Sequence, residues 1–404
     1  MKNILIIGRG GREHALAKSF SKTCRVFVAP GNSGMKDDCV IVNIDENNFK
    51  DLITFAKENN IDLTFVGPEV PLVNGIVDKF TKEGLVIFGP NKKAARIEGS
   101  KDFAKELMKK YNIPTADYKT FTNLEEAVDY IKDKKAPYVL KADGLAAGKG
   151  VVISQTLEEA KLTLESMLGD NNPKNKVVIE DFLEGYEFSF MAFVNGDKVY
   201  PLQLARDYKK ALNKDMGQNT GGMGAFSPVP QISESSIGVA ISEIIQKTAN
   251  AMVAENIPFI GVLYAGLIET STGPKVIEFN ARFGDPETEV LLPRLNSNIY
   301  DFTMAVLNKE DFVLEWSEKF CLGVVLASGG YPNKYETNFP IQIKSNALIY
   351  YSGVCGDSPL KTAGGRVLVV TSFGDNLEEA KKSAYEEVEK ISFENMHYRN
   401  DIGS

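Results

Sequence analysis

The stretch Lys141-Ala142-Asp143-Gly144-Leu145-Ala146-Ala147-Gly148-Lys149-Gly150 lies between two apolar strand signals, 138–141 and 151–153. Its three glycines let the backbone approach an anion closely. Lys141 and Lys149 bracket them with positive charge that imposes no fixed geometry. The stretch differs from a P-loop: three residues separate Gly144 from Gly148 where four are needed, and Gly150 stands where a Ser or Thr would hold Mg²⁺. With strands on both sides, no helix N-terminus cradles the phosphates. A flexible glycine lid closing over a nucleotide fits this pattern. A plain glycine-rich hairpin turn is the other reading.

Moving outward, a strand over 177–180 runs into Glu180-Asp181-Phe182-Leu183-Glu184-Gly185-Tyr186-Glu187. A strand that ends in a short hinge can offer the backbone at 181–183 to an adenine edge, with Glu187 placed for ribose hydroxyls. Taken alone, the same residues also read as a solvated acidic turn. Further on, Glu278-Phe279-Asn280 closes a strand, and alternation puts Glu278 and Asn280 on one face. Both are hard oxygen donors of the kind Mg²⁺ uses together with substrate phosphates. Arg282-Phe283-Gly284-Asp285-Pro286-Glu287 then sets a guanidinium and two carboxylates in one loop. A polar strand end with surface ion pairs is the alternative. Asn219-Thr220-Gly221-Gly222-Met223-Gly224 is uncharged and reads as a close backbone contact or a flexible excursion. Lys361-Thr362-Ala363-Gly364-Gly365-Arg366 pairs two cations with two glycines, which suits a phosphate oxyanion or a solvated turn.

The first hundred residues alternate strand signals (4–7, 26–29, 40–42, 63–66 and 86–88) with helical patterns. This spacing predicts a parallel sheet wrapped by helices, with a crevice at the strand C-terminal ends. Gly8-Arg9-Gly10-Gly11-Arg12-Glu13 sits at such an end. Glu13 occupies the third glycine position of a dinucleotide loop, and no acidic residue follows about 20 positions on, which disfavours a dinucleotide. A tight strand-to-helix turn and a site for a phosphorylated small molecule both remain open. Beyond Ser100, which can cap a helix over 101–110, a compact unit spans 118–180. Strands are expected over 187–204, a long polar loop over 207–227, a helix over 233–255, and strands over 262–269 and 275–279. From about 320 the pattern is mixed, with a strand over 323–327 and a helix over 377–391.

At 404 residues the chain is long enough for two or three domains at about 150 residues each. Its 43% hydrophobic and 25% charged residues are those of an ordinary globular protein. A net charge of −8 argues against a large nucleic-acid footprint. Four cysteines, at 24, 39, 321 and 355, form no CxxC pair. With only His14 and His397, a multi-histidine zinc site is disfavoured, and a Ser–His–Asp triad would have to use one of the two. No run of about 18 apolar residues occurs. These features lead us to expect a reducing, cytoplasmic location with neither membrane nor nucleic-acid partners.

The order of the segments is more specific than any one of them. A lysine-bearing loop between strands, an acidic hinge and a Glu-x-Asn strand about a hundred residues later resemble the ATP-grasp superfamily. Within it the chain resembles the glycinamide ribonucleotide synthetases. The resemblance rests on Gly10-Gly11-Arg12-Glu13-His14-Ala15-Leu16, Pro30-Gly31-Asn32, Val66-Gly67-Pro68-Glu69, Gly99-Ser100-Lys101, the glycine loop, the 219–224 and 278–288 stretches, Gly364-Gly365-Arg366-Val367-Leu368 and Tyr398-Arg399-Asn400-Asp401-Ile402-Gly403. Tyr208 and Tyr351 stand where the family usually has His.

The resemblance implies an α/β architecture: a Rossmann-like N-terminal domain over 1–100, an ATP-grasp domain over 101–310 with a lid subdomain at about 115–183, and a C-terminal domain over 320–404. It implies ATP-dependent joining of glycine to 5-phosphoribosylamine with Mg²⁺ or Mn²⁺, by a monomer or weak dimer. Under it, Lys101, Lys141, Gly148, Lys149, Gly150, Glu180, Asp181, Phe182, Leu183 and Glu187 hold ATP, and Glu278 and Asn280 hold the metal. Lys149, Arg282 and Asp285 act in catalysis, with Arg282 on the glycine carboxylate and Asp285 on an amino group. Substrate contacts fall to Gly10, Gly11, Arg12, Glu13, Pro30, Gly31, Asn32, Asn219, Thr220, Gly221, Gly222, Gly284, Lys361, Gly364, Gly365 and Arg366. A second acidic metal ligand has no carboxylate at the expected 264–267, which leaves Glu269 as the nearest acid. Rival readings are another ATP-grasp ligase or carboxylase, a nicotinamide oxidoreductase using the 8–13 loop, and a non-catalytic nucleotide-binding module.

Overall fold

The expected parallel sheet runs Val40–Ile41, Cys24–Pro30, Lys2–Gly8, Leu63–Val66, Ile87–Phe88, with every pair parallel, in the computed structural model of the chain, which describes residues 1–145, 150–169, 172 and 175–404. Ile4 and Ile6 point into one core while Leu5 and Ile7 point into another, because helices cover both faces. The chain switches direction across the sheet at Lys2–Gly8. The crevice therefore opens just beyond Gly8, where helix Gly11–Ser21 begins.

Helix Lys101–Lys110 starts where the sequence places it, and the Ser100 hydroxyl accepts the Phe103 N–H at 3.2 Å. The next unit is an antiparallel sheet in the order Tyr118–Phe121, Val177–Glu180, Tyr138–Ala142, Val151–Ser154. Helices Leu124–Lys132 and Leu157–Leu168 cover it. Ala127, Ile131, Leu140, Ala160 and Leu164 give it a core of its own. A second antiparallel sheet orders Lys198–Pro201, Tyr186–Asn195, Ile260–Thr270 and Gly273–Asn280. Gly266 pairs with Glu278 and Leu267 with Val276, so Ile277 is the extra residue of a bulge.

The segment expected as a polar loop over 207–227 is instead mostly strand. Lys210–Leu212 and Met216–Asn219 form a ribbon, and Arg206–Asp207 pairs with Gly224–Ser227. Gly224–Ser227 in turn pairs with Phe320–Ser328, which carries Arg366–Gly374 on its other side. All four residues of Gly224–Ser227 are buried, and a buried backbone must find hydrogen-bond partners. The helix expected over 233–255 is present as Glu234–Val239, a π-helical stretch Ala240–Gln246, and Lys247–Ala254. Among the described residues no helix is long and apolar enough to cross a membrane.

Candidate active site

Lys101 and Lys105 lie one turn apart on helix Lys101–Lys110 and so share a face. Lys105 reaches Glu180 Oε2 at 2.8 Å, and Lys141, from strand Tyr138–Ala142, reaches Glu180 Oε1 at 2.9 Å. All three side chains are buried. Lys105 also donates to Thr115 Oγ1, and Lys141 donates to the bulged Ile277 carbonyl, both at 2.8 Å. Burial pushes the Lys105 ammonium down to about 8, with Lys141 adding to the effect and Glu180 opposing it. Lys101 donates to the Gly144 carbonyl at the start of the glycine loop at 2.8 Å. Burial lowers its pKa, against Glu278 and Asp143. The Gly150 carbonyl accepts the Ala142 N–H at 2.8 Å. Gly148 and Lys149 lie outside the described residues.

At the hinge, Asp181 and Phe182 are exposed and Leu183 is half-buried. The Asp181 N–H is taken by the Asp117 carbonyl at 2.9 Å, and the Asp181 carboxylate by Lys134. Glu187 is exposed and pairs with Lys209 at 3.2 Å.

Glu278 ends its strand among cations. Burial favours its protonated form, but Lys209, Lys141, Lys101 and Arg282 together hold it below the usual carboxylate range. With the Asn280 amide oxygen this makes a hard, two-ligand donor set flanked by lysines. Such a set fits a divalent cation whose remaining positions are filled by phosphate oxygens and water. Among the described residues no group of three or more His, Cys, Asp or Glu gathers to hold an ion unaided. Glu269, the nearest acid in sequence, accepts the Ser236 hydroxyl at 2.9 Å and sits opposite Pro274, toward the turn of the hairpin.

Sequence reasoning missed Asp207 and Lys209 as neighbours of this site. Burial pushes Asp207 up to about 7, with Lys209 opposing and Glu287, Glu187 and Glu278 adding. It also missed Lys105, although its four-residue spacing from Lys101 was a readable signal.

Arg282 does not stand free to meet a carboxylate. Its Nε pairs with Glu69 at 3.2 Å and its Nη2 with Glu98 at 3.0 Å, while Nη2 also reaches Asn280 Oδ1 at 3.4 Å. Glu69 is driven down to about 2, because Arg282 and Arg12 outweigh its burial. Glu98 is pushed up to about 7 by burial, against Arg282. Both acids come from the N-terminal 100 residues; Glu69 stands in the Val66–Glu69 stretch, but nothing local in the sequence pairs either acid with Arg282.

The other expected substrate residues meet where the three parts of the chain join. Glu13 accepts the Gly10 N–H at 2.6 Å and pairs with Arg12 at 2.5 Å. Arg12 also donates to the Phe283 carbonyl, and its own N–H faces Asp285 Oδ2 at 3.4 Å. Arg366 Nη1 donates to the Gly221 and Asp285 carbonyls at 2.7 and 2.8 Å and lies 2.9 Å from Asp285 Oδ1. Thr220 and Gly222 hold the loop's shape: Thr220 Oγ1 donates to the Lys209 carbonyl and accepts the Gly222 N–H. Gly222 has φ +114°, and a Cβ there would sit 2.4 Å from Pro286. Asn219 ends the ribbon, paired with Lys210. The Gly284 N–H points at Met191 Sδ. The Gly364 carbonyl accepts from the Ser328 hydroxyl and the Gly365 carbonyl from the Ser328 N–H.

Asn32 donates to the Arg9, Tyr351 and Ser352 carbonyls and so stitches the N-terminal and C-terminal parts together. The Gly31 N–H, beside Pro30, goes to the Gly8 carbonyl. Lys361 lies on a ribbon with Val354–Cys355, paired with Cys355. The two unusual tyrosines each make contacts within the fold. Tyr208 OH accepts the Gly403 N–H and donates to the Ser404 carbonyl. Tyr351 stacks on His14 at 5.6 Å between ring centres.

Two antiparallel sheets gripping a lysine-lined cleft, with a Glu-x-Asn strand end beneath, define the ATP-grasp fold. The biotin carboxylase of Campylobacter jejuni shares this fold at a TM-score of 0.76 and 16% identity, over 98% of this chain and 92% of that one. The phosphoribosylglycinamide synthetase N domain matches residues 2–98, its ATP-grasp (A) domain 99–288 and its C domain 321–404, so the chain belongs to the phosphoribosylglycinamide synthetase family. The phosphoribosylamine–glycine ligase of Halalkalibacterium halodurans is 51% identical over 100% of this chain and 96% of its own length. That of Lactococcus lactis is 49% identical over 99% of each. The crystal structure of the Thermotoga maritima phosphoribosylamine–glycine ligase superposes with a TM-score of 0.87 at 36% identity, over 99% of this chain and 100% of that one.

Proposed function

We propose that the chain joins glycine to 5-phosphoribosylamine with conversion of ATP to ADP and phosphate, a step of purine biosynthesis. The observation that carries this reading is the adjacency of two features. Incompletely neutralised lysines surround Glu278, and the Arg282 loop leads from them straight into the three-part junction at Asp285 and Arg366.

A carboxylate is a poor acylating agent because its leaving oxygen is too basic. A glycine carboxylate oxygen therefore attacks the γ-phosphorus, the bond to ADP breaks, and glycyl phosphate forms. The amine then attacks the glycyl carbonyl. The C–N bond forms, the C–O bond to phosphate breaks, phosphate leaves and the amine loses a proton. Phosphoryl transfer of this kind needs positioning and charge neutralisation more than covalent help from protein groups.

Lys101, Lys141 and Lys149 oppose the phosphates, with Gly148 and Gly150 giving the lid room to close. The backbone at 181–183 reads adenine, Glu187 the ribose, and Glu180 holds Lys141 in place. Glu278 and Asn280 would hold Mg²⁺ or Mn²⁺, which when bound neutralises charge on the phosphate oxygens. Arg282, already braced by Glu69 and Glu98, keeps Asn280 in place and its own charge near the glycine carboxylate. Asp285 takes the amino group of the second substrate, and Gly10–Arg12 with Gly364–Arg366 frame its phosphate. The unit at about 115–183 moves as the lid, and the enzyme acts as a monomer or weak dimer in the cytoplasm.

The test is ADP release by the full chain with ATP, Mg²⁺ and glycine, with and without phosphoribosylamine. ADP formation that requires both substrates supports the reading. ADP formation indifferent to glycine, or driven by bicarbonate instead, rejects it.

A further inference from the structure

Glu289 is fully buried, and neither of its carboxyl oxygens has a hydrogen-bond partner on another residue. Among the described residues, the two cations that act on it are already engaged. Arg12 is engaged by Glu13 and the Phe283 carbonyl, and Arg366 by Asp285 and the Gly221 carbonyl. A buried, ionised carboxylate without such a partner is too costly to persist. Asp285 faces Glu289 within hydrogen-bond reach, and Asp285 Oδ1 also lacks a hydrogen. Arg366 Nη1 lies 2.9 Å from that oxygen, but its two hydrogens go to the Gly221 and Asp285 carbonyls. One proton therefore resolves orphans on both side chains.

We infer that Glu289 is held as a neutral carboxylic acid that donates its proton to the Asp285 carboxylate, which makes it a positioning residue that keeps Asp285 anionic and correctly turned. The groups facing Glu289 agree. Burial and Asp285 raise its pKa well above the ordinary range, Arg366 and Arg12 oppose this too weakly, and Tyr350 is itself buried and protonated. Gly11 completes the packing: a Cβ there would lie 2.5 Å from Glu289 Oε1 and 2.7 Å from Ser352 Oγ. The proton placement rests on the burial of Glu289 and on the unpartnered oxygens of the two side chains. Its effect on substrate binding rests on the proposed role of Asp285.

The test is an infrared difference spectrum of the full chain, wild type minus Glu289→Gln, without substrates and across neutral pH. The variant isolates Glu289 from Glu98 and Asp207, whose carboxyls are also raised. We expect a protonated-carboxyl C=O band that shifts in D₂O. A band confined to acidic pH, or none, overturns the inference. In parallel, Glu289→Ala should raise the KM for phosphoribosylamine about tenfold with the KM for ATP unmoved, and Glu289→Gln should rescue it. A band with no such KM effect upholds the proton and instead rejects Asp285 as the amine contact.

Discussion

Two buried charge clusters flank the Glu278 strand end, and they are built on opposite principles. At the hinge, Lys105 and Lys141 share the single carboxylate of Glu180, and Lys101 holds only a carbonyl. At the junction every guanidinium already has a carboxylate: Arg12 with Glu13, Arg366 with Asp285, and Arg282 with Glu69 and Glu98. Glu289 is even left over. The first cluster keeps cationic charge in reserve, as a site awaiting a polyanion must. The second is neutralised before any substrate arrives, so it can orient a ligand by directed hydrogen bonds. Residue type follows the same division, with flexible ammonium groups at the hinge and planar guanidinium forks at the junction.

The largest expected effect would break the hinge cluster. Glu180→Ala strands two buried lysines and should destabilise the protein by about 3–5 kcal/mol, read from urea unfolding. A loss below about 1 kcal/mol would mean the lysines find water and are not held by Glu180. At the junction, Arg366→Met leaves Asp285 without its charge partner. The KM for phosphoribosylamine should rise about ten- to a hundredfold, with little change for ATP. If ATP affinity falls instead, the two clusters are not the separate sites described. Between them, Glu278→Gln keeps an oxygen donor but removes the charge. Turnover should fall and the Mg²⁺ requirement rise about tenfold, with the glycine KM nearly constant. An altered glycine KM with unchanged Mg²⁺ dependence would make Glu278 a substrate contact.

The smallest effect concerns the seam that holds the junction closed. His14 Nδ1 accepts the Tyr351 N–H at 2.9 Å, which leaves Nε2 to donate to Asp38, also at 2.9 Å. Burial keeps the ring neutral, with Asp38 opposing and Lys18 assisting. The unfolded chain takes up the proton near pH 6.5 and the folded chain only below that. The unfolded state then binds more protons, so this part of the stability is present above about pH 6.5 and is lost as pH falls toward the folded value. His14→Gln should flatten the slope of melting temperature against pH in that window. An unchanged slope would place the acid sensitivity elsewhere.

Much of this was legible in the sequence, because local signals carried it. Ser100 announces its helix, Gly8 ends the first strand at the crevice, and Glu278 and Asn280 close theirs. What was hidden depends on partners far along the chain. Gly224–Ser227 is a four-residue strand whose partner, Phe320–Ser328, lies about a hundred residues later, so its segment reads as loop. The bulge at Ile277, which turns a carbonyl toward Lys141, leaves no mark on the alternation pattern. Arg282 reads as a free guanidinium until Glu69 and Glu98 arrive from the N-terminal sheet.

The central claim, that the cationic cleft passes the γ-phosphate to a carboxylate presented at the junction, is tested most directly with glycine labelled with oxygen-18 in its carboxyl group. Turned over with ATP, Mg²⁺ and phosphoribosylamine, the account predicts that one labelled oxygen per turnover appears in inorganic phosphate and the other stays in the amide. Phosphate that carries no label would contradict it.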